Sequence, residues 1–168
     1  MNPLKKISLS VFLMMGVFLL SAGSKAEEGY RPTNDGGSFG LGLMFGGAGA
    51  WGATGKIWLS RAHALQPAVE FDDGGSTVLQ LDYLWHDFNI IHMRETKGEM
   101  PLYIGLGGDL ILQDKAEFGG RIPVGISYIF DKRNVPVDIF LQAVPTLWFF
   151  NRDTSFKIYG ELGGHYYF

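Results

Sequence analysis

Seven of eight segments in this 168-residue chain place a charged side chain on the polar side of an alternating apolar and polar pattern. Charges enclosed by a sheet are costly to bury unless they pair, so we expect these side chains to form an interior network of ion pairs. For Arg121 the expected partners are Glu161, Asp138 and Asp109. The predicted network consists of Lys56, Glu70, Asp82, Asp109, Arg121, Asp138, Lys157 and Glu161.

This predicted network supports two kinds of function. One is a structural plug of salt bridges that fills the interior. The other is a proton or ion relay, or a narrow pore that opens when the network rearranges. The residue types and their spacing leave both interpretations open.

Other site chemistry has little support in the residues. His63, His86, His92 and His165 do not form a metal-ligand spacing, although His86 and His92 flank a loop. The chain has no cysteine, which excludes disulfides and thiolate metal sites. No glycine-rich stretch precedes a helix, so the sequence predicts no phosphate-binding loop. We therefore predict no catalytic residue, no metal and no cofactor.

The elements that position these charges are predicted to be strands. Alternation with period two places one face in lipid and the other in a lumen, and no long helical period is present. The 24 glycines and the 14% aromatic content are typical of an all-β protein. An even count of eight favours an eight-stranded antiparallel transmembrane β-barrel with a lumen that side chains can fill. The predicted strands are 38–47, 54–61, 64–72, 76–86, 102–113, 117–130, 137–149 and 154–168.

Prolines and connections qualify this pattern. Pro67, Pro123 and Pro145 lie inside predicted strands and should each mark a bulge or a local break, because proline removes a ladder donor. Most connections are short, whereas the one at 87–100 is long. If both termini are periplasmic, this long connection is periplasmic as well.

The N-terminus carries the pattern of an export signal. Lys5 and Lys6 precede an apolar run from Ile7 to Leu20, and small residues at Ser24 and Ala26 fit cleavage after Ala26. The alternative is an N-terminal membrane anchor. We therefore expect a signal peptide at 1–26, a short segment at 27–37 and the barrel at 38–168. The formal net charge of −3 becomes more negative without the three signal lysines, which argues against nucleic-acid binding.

The last eight residues resemble the C-terminal assembly signal of bacterial outer-membrane β-barrels. Glu161, Gly163, Tyr166 and Phe168 give the pattern of a polar residue, a glycine and two aromatics, the second of them terminal. This resemblance implies recognition by the barrel-assembly machinery during insertion. A terminal aromatic residue also suits a membrane interface.

Three further stretches, 101–108, 121–128 and 137–145, are similar to small outer-membrane proteins with an OmpA-like or OmpX-like eight-stranded barrel. The resemblance implies a fold and an outer-membrane location but no activity. Unlike in OmpA, we expect no peptidoglycan-binding domain after the barrel. Lipid A deacylases and palmitoyltransferases occur among such barrels, but no serine accompanies His165 in the last strand.

We therefore expect a monomeric structural or surface-interaction barrel in contact with outer-membrane lipid. A narrow pore for small solutes or ions is the alternative, and a lipid-modifying enzyme is the second alternative.

Overall fold

The computed structural model describes residues 39–72, 74–91, 98–113, 116–130, 135–150 and 153–168. The expected signal peptide at 1–26 and the segment at 27–37 lie outside the described residues, as does His92. Where the structure describes the chain, it contains no helix long and apolar enough to cross a membrane.

The described chain is built from antiparallel strands. Each alternates between buried and exposed residues over most of its length, as the period-two pattern predicts. The strands are β1 (Phe39–Gly46), β2 (Trp51–Trp58), β3 (His63–Phe71), β4 (Thr77–Asp87), β5 (Leu102–Leu112), β6 (Glu117–Arg121), β7 (Val124–Ile129), β8 (Val137–Phe150) and β9 (Asp153–Tyr167).

The strands form a ring of eight positions. Except for β6 and β7, strands that are adjacent in sequence pair with each other, and β1 pairs with β9, so the sheet closes on itself. The short strands β6 and β7 share one position, because both pair with β5 on one side and β8 on the other, in a single register. The predicted eight-stranded all-β architecture is therefore confirmed. Closure also removes the exposed sheet edges that favour aggregation.

The prolines interrupt ladders without shifting the register. The break between β6 and β7 falls at Ile122 and Pro123, as expected at Pro123. Pro67 and Pro145 differ from the expectation, because β3 and β8 continue through them. Each of these prolines interrupts the ladder on only one side of its strand. Near Pro67, residue pairs between β3 and β2 are missing, and near Pro145, residue pairs between β8 and the β6–β7 position are missing.

The second strand begins earlier than its predicted start at residue 54. Trp51 pairs with Phe45, which leaves only residues 47–50 to connect β1 and β2. Gly46 and Gly47 adopt positive φ angles of 97° and 78°, which are accessible to glycine, and so permit this tight connection.

The two ends of the ring differ. One end, here called the terminal end, carries Phe39 and Phe168, whose backbones are joined by a hydrogen bond of 3.1 Å. The long connection between β4 and β5 starts and finishes at this end, where Glu99 bridges Ile129. The opposite end, here called the hairpin end, carries the β1–β2, β3–β4, β5–β6 and β8–β9 connections.

The β3–β4 connection is held by Asp72. The backbone N–H of Ser76 donates to Asp72 Oδ1 at 2.6 Å. This hydrogen bond holds the pKa of the Asp72 carboxyl below its ordinary value. Gly75 follows with a φ of 83°, so the turn again depends on a glycine in the left-handed region.

The distribution of polar and apolar residues is inverted relative to a water-soluble protein. Lys56 and Glu70 are fully buried, whereas Leu43 and Ile158 are 59% and 65% exposed. Aromatic pairs stand at both ends of the outer surface: Trp51 with Phe71 at the hairpin end, and Tyr83 with Trp85 at the terminal end. The charged side chains are therefore positioned inside the ring.

Candidate functional site: the buried ion network

Two groups of charged residues occupy the interior. The first, here called the arginine cluster, consists of Arg121, Asp82, Asp109 and Glu161. The second, here called the aspartate cluster, consists of Asp138, Lys56, His165 and Tyr167. The residues of both groups are at most 2% exposed.

Arg121 contacts three carboxylates at once. Its Nε atom lies 3.1 Å from Asp82 Oδ1, its Nη1 atom 2.8 Å from Asp109 Oδ1, and its Nη2 atom 2.7 Å from Glu161 Oε2. Nη2 also donates to Glu161 Oε1 at 2.9 Å, so this one nitrogen contacts both oxygens of the carboxylate. Planar guanidinium groups suit such multiple pairing, and the cluster joins β4, β5, β6 and β9 across the lumen.

A glycine makes this geometry possible. Gly107 lies between Asp82 and Arg121 in one cross-strand row that runs through β4, β5 and β6. A Cβ atom at position 107 would stand 1.8 Å from Asp82 Oδ1, so only glycine leaves room for the carboxylate there. Gly107 is not among the residues that the sequence predicts for the site.

Neutral polar side chains extend the arginine cluster. The Gln142 side-chain amide donates to Glu161 Oε2, and the Tyr103 hydroxyl donates to Gln142 Oε1 at 2.7 Å. Neither Tyr103 nor Gln142 belongs to the predicted charged set. Both lie at inward-facing positions of strands with alternating side chains. That position could have indicated their role from the sequence, since a buried carboxylate requires hydrogen-bond donors.

Glu70 lies beside this cluster, under the β1–β2 connection. It accepts a hydrogen bond of 2.7 Å from the backbone N–H of Gly49. A Cβ atom at Gly47 would lie 2.5 Å and 2.7 Å from the two Glu70 carboxylate oxygens and 2.9 Å from Glu161 Oε1. The two carboxylates therefore approach each other beneath Gly47. Among the described residues, Glu70 has no ion pair with a cation.

The aspartate cluster lies nearer the terminal end. Asp138 Oδ2 stands 3.5 Å from Lys56 Nζ and accepts a hydrogen bond of 2.7 Å from the Tyr167 hydroxyl. Asp138 Oδ1 lies 2.7 Å from His165 Nδ1 and accepts from the His165 backbone N–H at 3.1 Å. Lys56 Nζ also lies 4.8 Å from the Trp58 ring centroid, within cation–π range.

A carboxylate, an imidazole and a hydroxyl follow one another in this cluster. His165 Nε2 lies 3.2 Å from Thr54 Oγ1, on the opposite side of the ring from Asp138. This order matches the acid–histidine–nucleophile relay of hydrolases. However, Thr54 is 2% exposed and its hydroxyl also donates to the Pro67 carbonyl, so the arrangement ties strands together inside the lumen.

Two expectations about the charged set differ from the structure. Lys157 is exposed and not part of the interior network. The ladder between β1 and β9 ends at Gly46 and Glu161, so β9 extends past β1 toward the hairpin end and carries Lys157 out of the lumen. Asp138 does not contact Arg121 but belongs to the aspartate cluster, and Asp82 takes the expected place beside the arginine.

The residues of the expected assembly signal occupy different environments. Glu161 is buried in the arginine cluster, whereas Tyr166 and Phe168 are exposed on the outer surface. Gly163 lies against the Phe140 ring, which a Cβ atom at position 163 would approach to 2.6 Å. The terminal strand therefore contributes to both the interior and the outer surface.

The histidines have separate surroundings. His63 Nδ1 lies 3.1 Å from the Tyr83 hydroxyl, and His86 packs between the rings of Trp58 and Tyr103. In the part of the chain that the structure describes, no three or more His, Asp or Glu side chains are placed to hold a metal ion.

Comparison with known proteins identifies no family. No protein-family model and no curated protein matches the chain. Among solved structures, the chain is similar to the crystal structure of the N-terminal β-barrel domain of Pseudomonas aeruginosa OprF. The sequence identity is 15% and the TM-score 0.49, over 80% of this chain and 100% of that one. A likeness of this size adds nothing to the closed ring, which rests on the strand pairing.

Proposed function

We propose that this chain is an integral β-barrel of the bacterial outer membrane with a structural or surface-interaction role. The observation that carries this proposal is the inverted distribution of side chains. Leu41, Leu106 and Leu162 are exposed on three different strands, while Arg121 and Asp138 are buried. A closed ring of strands with an apolar outer surface is suited to lipid and unsuited to water.

The burial of large side chains in the interior favours a structural role over transport. Large side chains project into the lumen at successive levels, and each is at most 2% exposed: Trp148, Arg121, Met44, Phe140, Lys56, Tyr167 and Trp58. Eight-stranded rings are narrow enough for side chains to fill them. The proposal includes no catalysis, because the Asp138–His165–Thr54 series is buried and faces away from lipid.

The two ends of the ring support the proposed location and partners. Aromatic residues at both ends of the outer surface suit two membrane interfaces. Tyr166 on the last strand and Phe168 directly after it are exposed, which supports recognition by the barrel-assembly machinery. The terminal end would face the periplasm, and the protein would act as a monomer in contact with outer-membrane lipid and without nucleic acid.

The test is folding in a membrane mimic. The purified protein should give a β-type circular dichroism spectrum in detergent, and its migration on gels should change on heating. When the protein is expressed in a Gram-negative host, it should fractionate with the outer membrane. A protein that stays folded and soluble after detergent removal would contradict the proposal.

A narrow cation pore is the second candidate, and the imbalance of buried charge favours it. Among the residues that the structure describes, five carboxylates, those of Glu70, Asp82, Asp109, Asp138 and Glu161, are buried with two side chains of Lys or Arg, Lys56 and Arg121. Planar-bilayer recordings distinguish the candidates. Cation-selective conductance that changes in Arg121→Ala would support a pore, whereas a folded protein without conductance in either form supports the filled barrel.

A further inference from the structure

The last strand extends well past the first toward the hairpin end. β9 pairs with β8 over fourteen residues without interruption, whereas its ladder with β1 stops at Gly46 and Glu161. The chain turns away there, where Gly46 and Gly47 adopt positive φ angles. Among the described residues, no strand therefore lies beside the β1-facing edge of β9 at residues 154–160.

The backbone direction shows which groups this edge presents. Neighbouring residues of a strand direct their N–H and C=O groups to opposite edges. The Gly160 carbonyl accepts a hydrogen bond of 3.2 Å from the Gly47 N–H, so even-numbered residues of β9 face the side of β1. Because the register with β8 is unbroken, Thr154, Phe156 and Ile158 face the same side. Within the described part of the chain, their backbone groups have no hydrogen bond there.

The side chains beside this edge differ between its two faces. Phe156 and Ile158 are exposed on the outer surface. Lys157 points to the other face and is exposed, because β1 ends before it can cover this position. It forms no ion pair with another described residue. The edge therefore combines unpaired backbone groups with an apolar outer face and an available cation.

We propose that this edge, at residues 154–158, is a strand-addition site for an extended polypeptide segment of a partner. The segment would carry apolar side chains on its outer face and an acidic side chain opposite Lys157. It would run antiparallel to β9, in the position that a longer β1 would occupy. Backbone pairing along a free edge gives affinity, and alternate side chains give specificity. This assignment deepens the proposed surface-interaction role and rests on it.

A polypeptide segment fits this edge better than a lipid or a second copy of the chain. Alternating donors and acceptors match the backbone of another strand. A free edge is a template for pairing in water, and its unpaired groups are costly in lipid, so both surroundings favour an added strand. Two copies in the same membrane orientation would present β9 strands that cross, because barrel strands tilt by about 35–45° from the axis. Antiparallel pairing of the two strands would instead turn one copy upside down.

Two synthetic peptides of five residues test the edge and its charge. The first carries a fluorophore and has valine at its first, third and fifth positions, glutamate at its second and threonine at its fourth. Antiparallel pairing places this glutamate opposite Lys157 and the valines opposite Ile158, Phe156 and Thr154. The second peptide has lysine in place of glutamate. Fluorescence anisotropy with the detergent-purified full chain should give an apparent Kd about tenfold lower for the glutamate peptide.

Two changes at one position test the backbone pairing. Phe156→Pro removes the N–H that faces the open edge and leaves the ladder with β8 in place. Phe156→Ala removes the same ring but retains the N–H. The proline variant should bind the glutamate peptide at least about tenfold more weakly than the alanine variant. A glutamate peptide methylated at its three valine nitrogens should lose binding to the wild type, which tests the same pairing without changing the protein.

A charge reversal tests the specificity. Lys157→Glu leaves the backbone edge unchanged and should reverse the preference between the two peptides. Equal affinity of the wild type for both peptides would overturn the proposal, as would undiminished binding of the methylated peptide. A folded wild type that binds neither peptide would also overturn it. So would a wild-type dimer that Phe156→Pro dissociates, since the edge would then belong to a second copy.

Heat-modifiable migration of each protein separates the two proposals. A wild-type chain that does not fold in detergent contradicts the membrane barrel and the site together. A folded chain without peptide binding contradicts only the strand-addition site.

Discussion

The Nε atom of Arg121 lies 3.1 Å from Asp82 Oδ1, although β5 separates the strands that carry these two residues. The contact crosses β5 at Gly107, the one residue between them in their row. A long-range ion pair thus depends on the absence of a side chain on the strand in between.

Gly107→Ala should destabilise the protein by forcing Asp82 away from Arg121. The added Cβ atom would stand 1.8 Å from Asp82 Oδ1 and 2.7 Å from the Leu81 carbonyl oxygen. Disruption of a buried pair typically costs about 3–5 kcal/mol. Thermal unfolding in detergent should show the loss. Gly120→Ala is the control, since its Cβ has open space, and a similar loss there would refute this explanation.

Arg121→Ala should be strongly destabilising, because it leaves three buried carboxylates without their cation. The expected loss in the free energy of unfolding is about 3–5 kcal/mol, measured by denaturant titration of the folded protein in micelles. Lys157→Ala removes an exposed cation and should change stability by no more than about 0.5 kcal/mol. Equal effects of the two changes would mean that Arg121 is solvated.

The aspartate cluster should show strong coupling between Lys56 and Asp138. Asp138→Leu alone leaves a buried ammonium group, and Lys56→Met alone leaves a buried carboxylate beside His165. The double variant should be less destabilised than the sum of the single variants, by about 0.5–3 kcal/mol in a double-mutant cycle. Simple additivity would show that the 3.5 Å pair contributes no coupling.

Phe168→Ala should reduce assembly in cells while leaving the refolded protein close to wild type. Phe168 is 67% exposed, and its ring centroid lies 6.4 Å from that of Phe39 and 5.2 Å from that of the exposed Tyr166. Folded protein in outer-membrane fractions is the measure. Phe156→Ala, at a position 61% exposed on β9, should assemble normally. If both variants assemble equally well, the terminal residue is not a recognition element.

The β3–β4 turn should loosen in acid. A hydrogen bond from Ser76 holds the pKa of Asp72 below its ordinary value, so the ionised carboxylate stabilises the turn. This stabilisation is present above the ordinary pKa of about 3.9 and disappears as the pH falls through the lower folded value. Hydrogen exchange at the Ser76 amide should report it. Asp72→Ala should remove the acid dependence, and a wild-type amide that remains equally protected would contradict the assignment.

The alternation of side chains was sufficient to predict most of the fold. A period of two residues determines which face each side chain occupies, so Lys56, Glu70 and Asp138 could be placed inside from local sequence alone. The same rule wrongly placed Lys157 inside, because the alternation of side chains along one strand does not reveal how far the neighbouring strand extends. β1 ends opposite Glu161, and that length depends on the tight glycine connection after Gly46.

Which charged side chains pair with one another in the lumen was harder to predict than which side chains face it. The contact of Arg121 with Asp82 requires the relative register of three strands and a gap at Gly107, neither of which a single segment contains. The separation into two clusters has the same origin. Asp138 and His165 are direct cross-strand partners, so the histidine lies beside Asp138 and Arg121 does not.

The seam between the first and last strands also constrains how the molecule is made. β1 and β9 share seven residue pairs, whereas β8 and β9 share fourteen. Because β1 is synthesised first and β9 last, the hydrogen-bonding edge of β1 stays without its native partner until the whole chain has been delivered. The β8–β9 hairpin can form from residues that are close in sequence. Closure of the ring instead joins β1 to β9, whose paired residues are more than a hundred positions apart, and therefore has the largest entropic cost of loop closure. The β1–β9 pairing is therefore the step at which assembly is completed, and the place where a partly inserted chain would remain open.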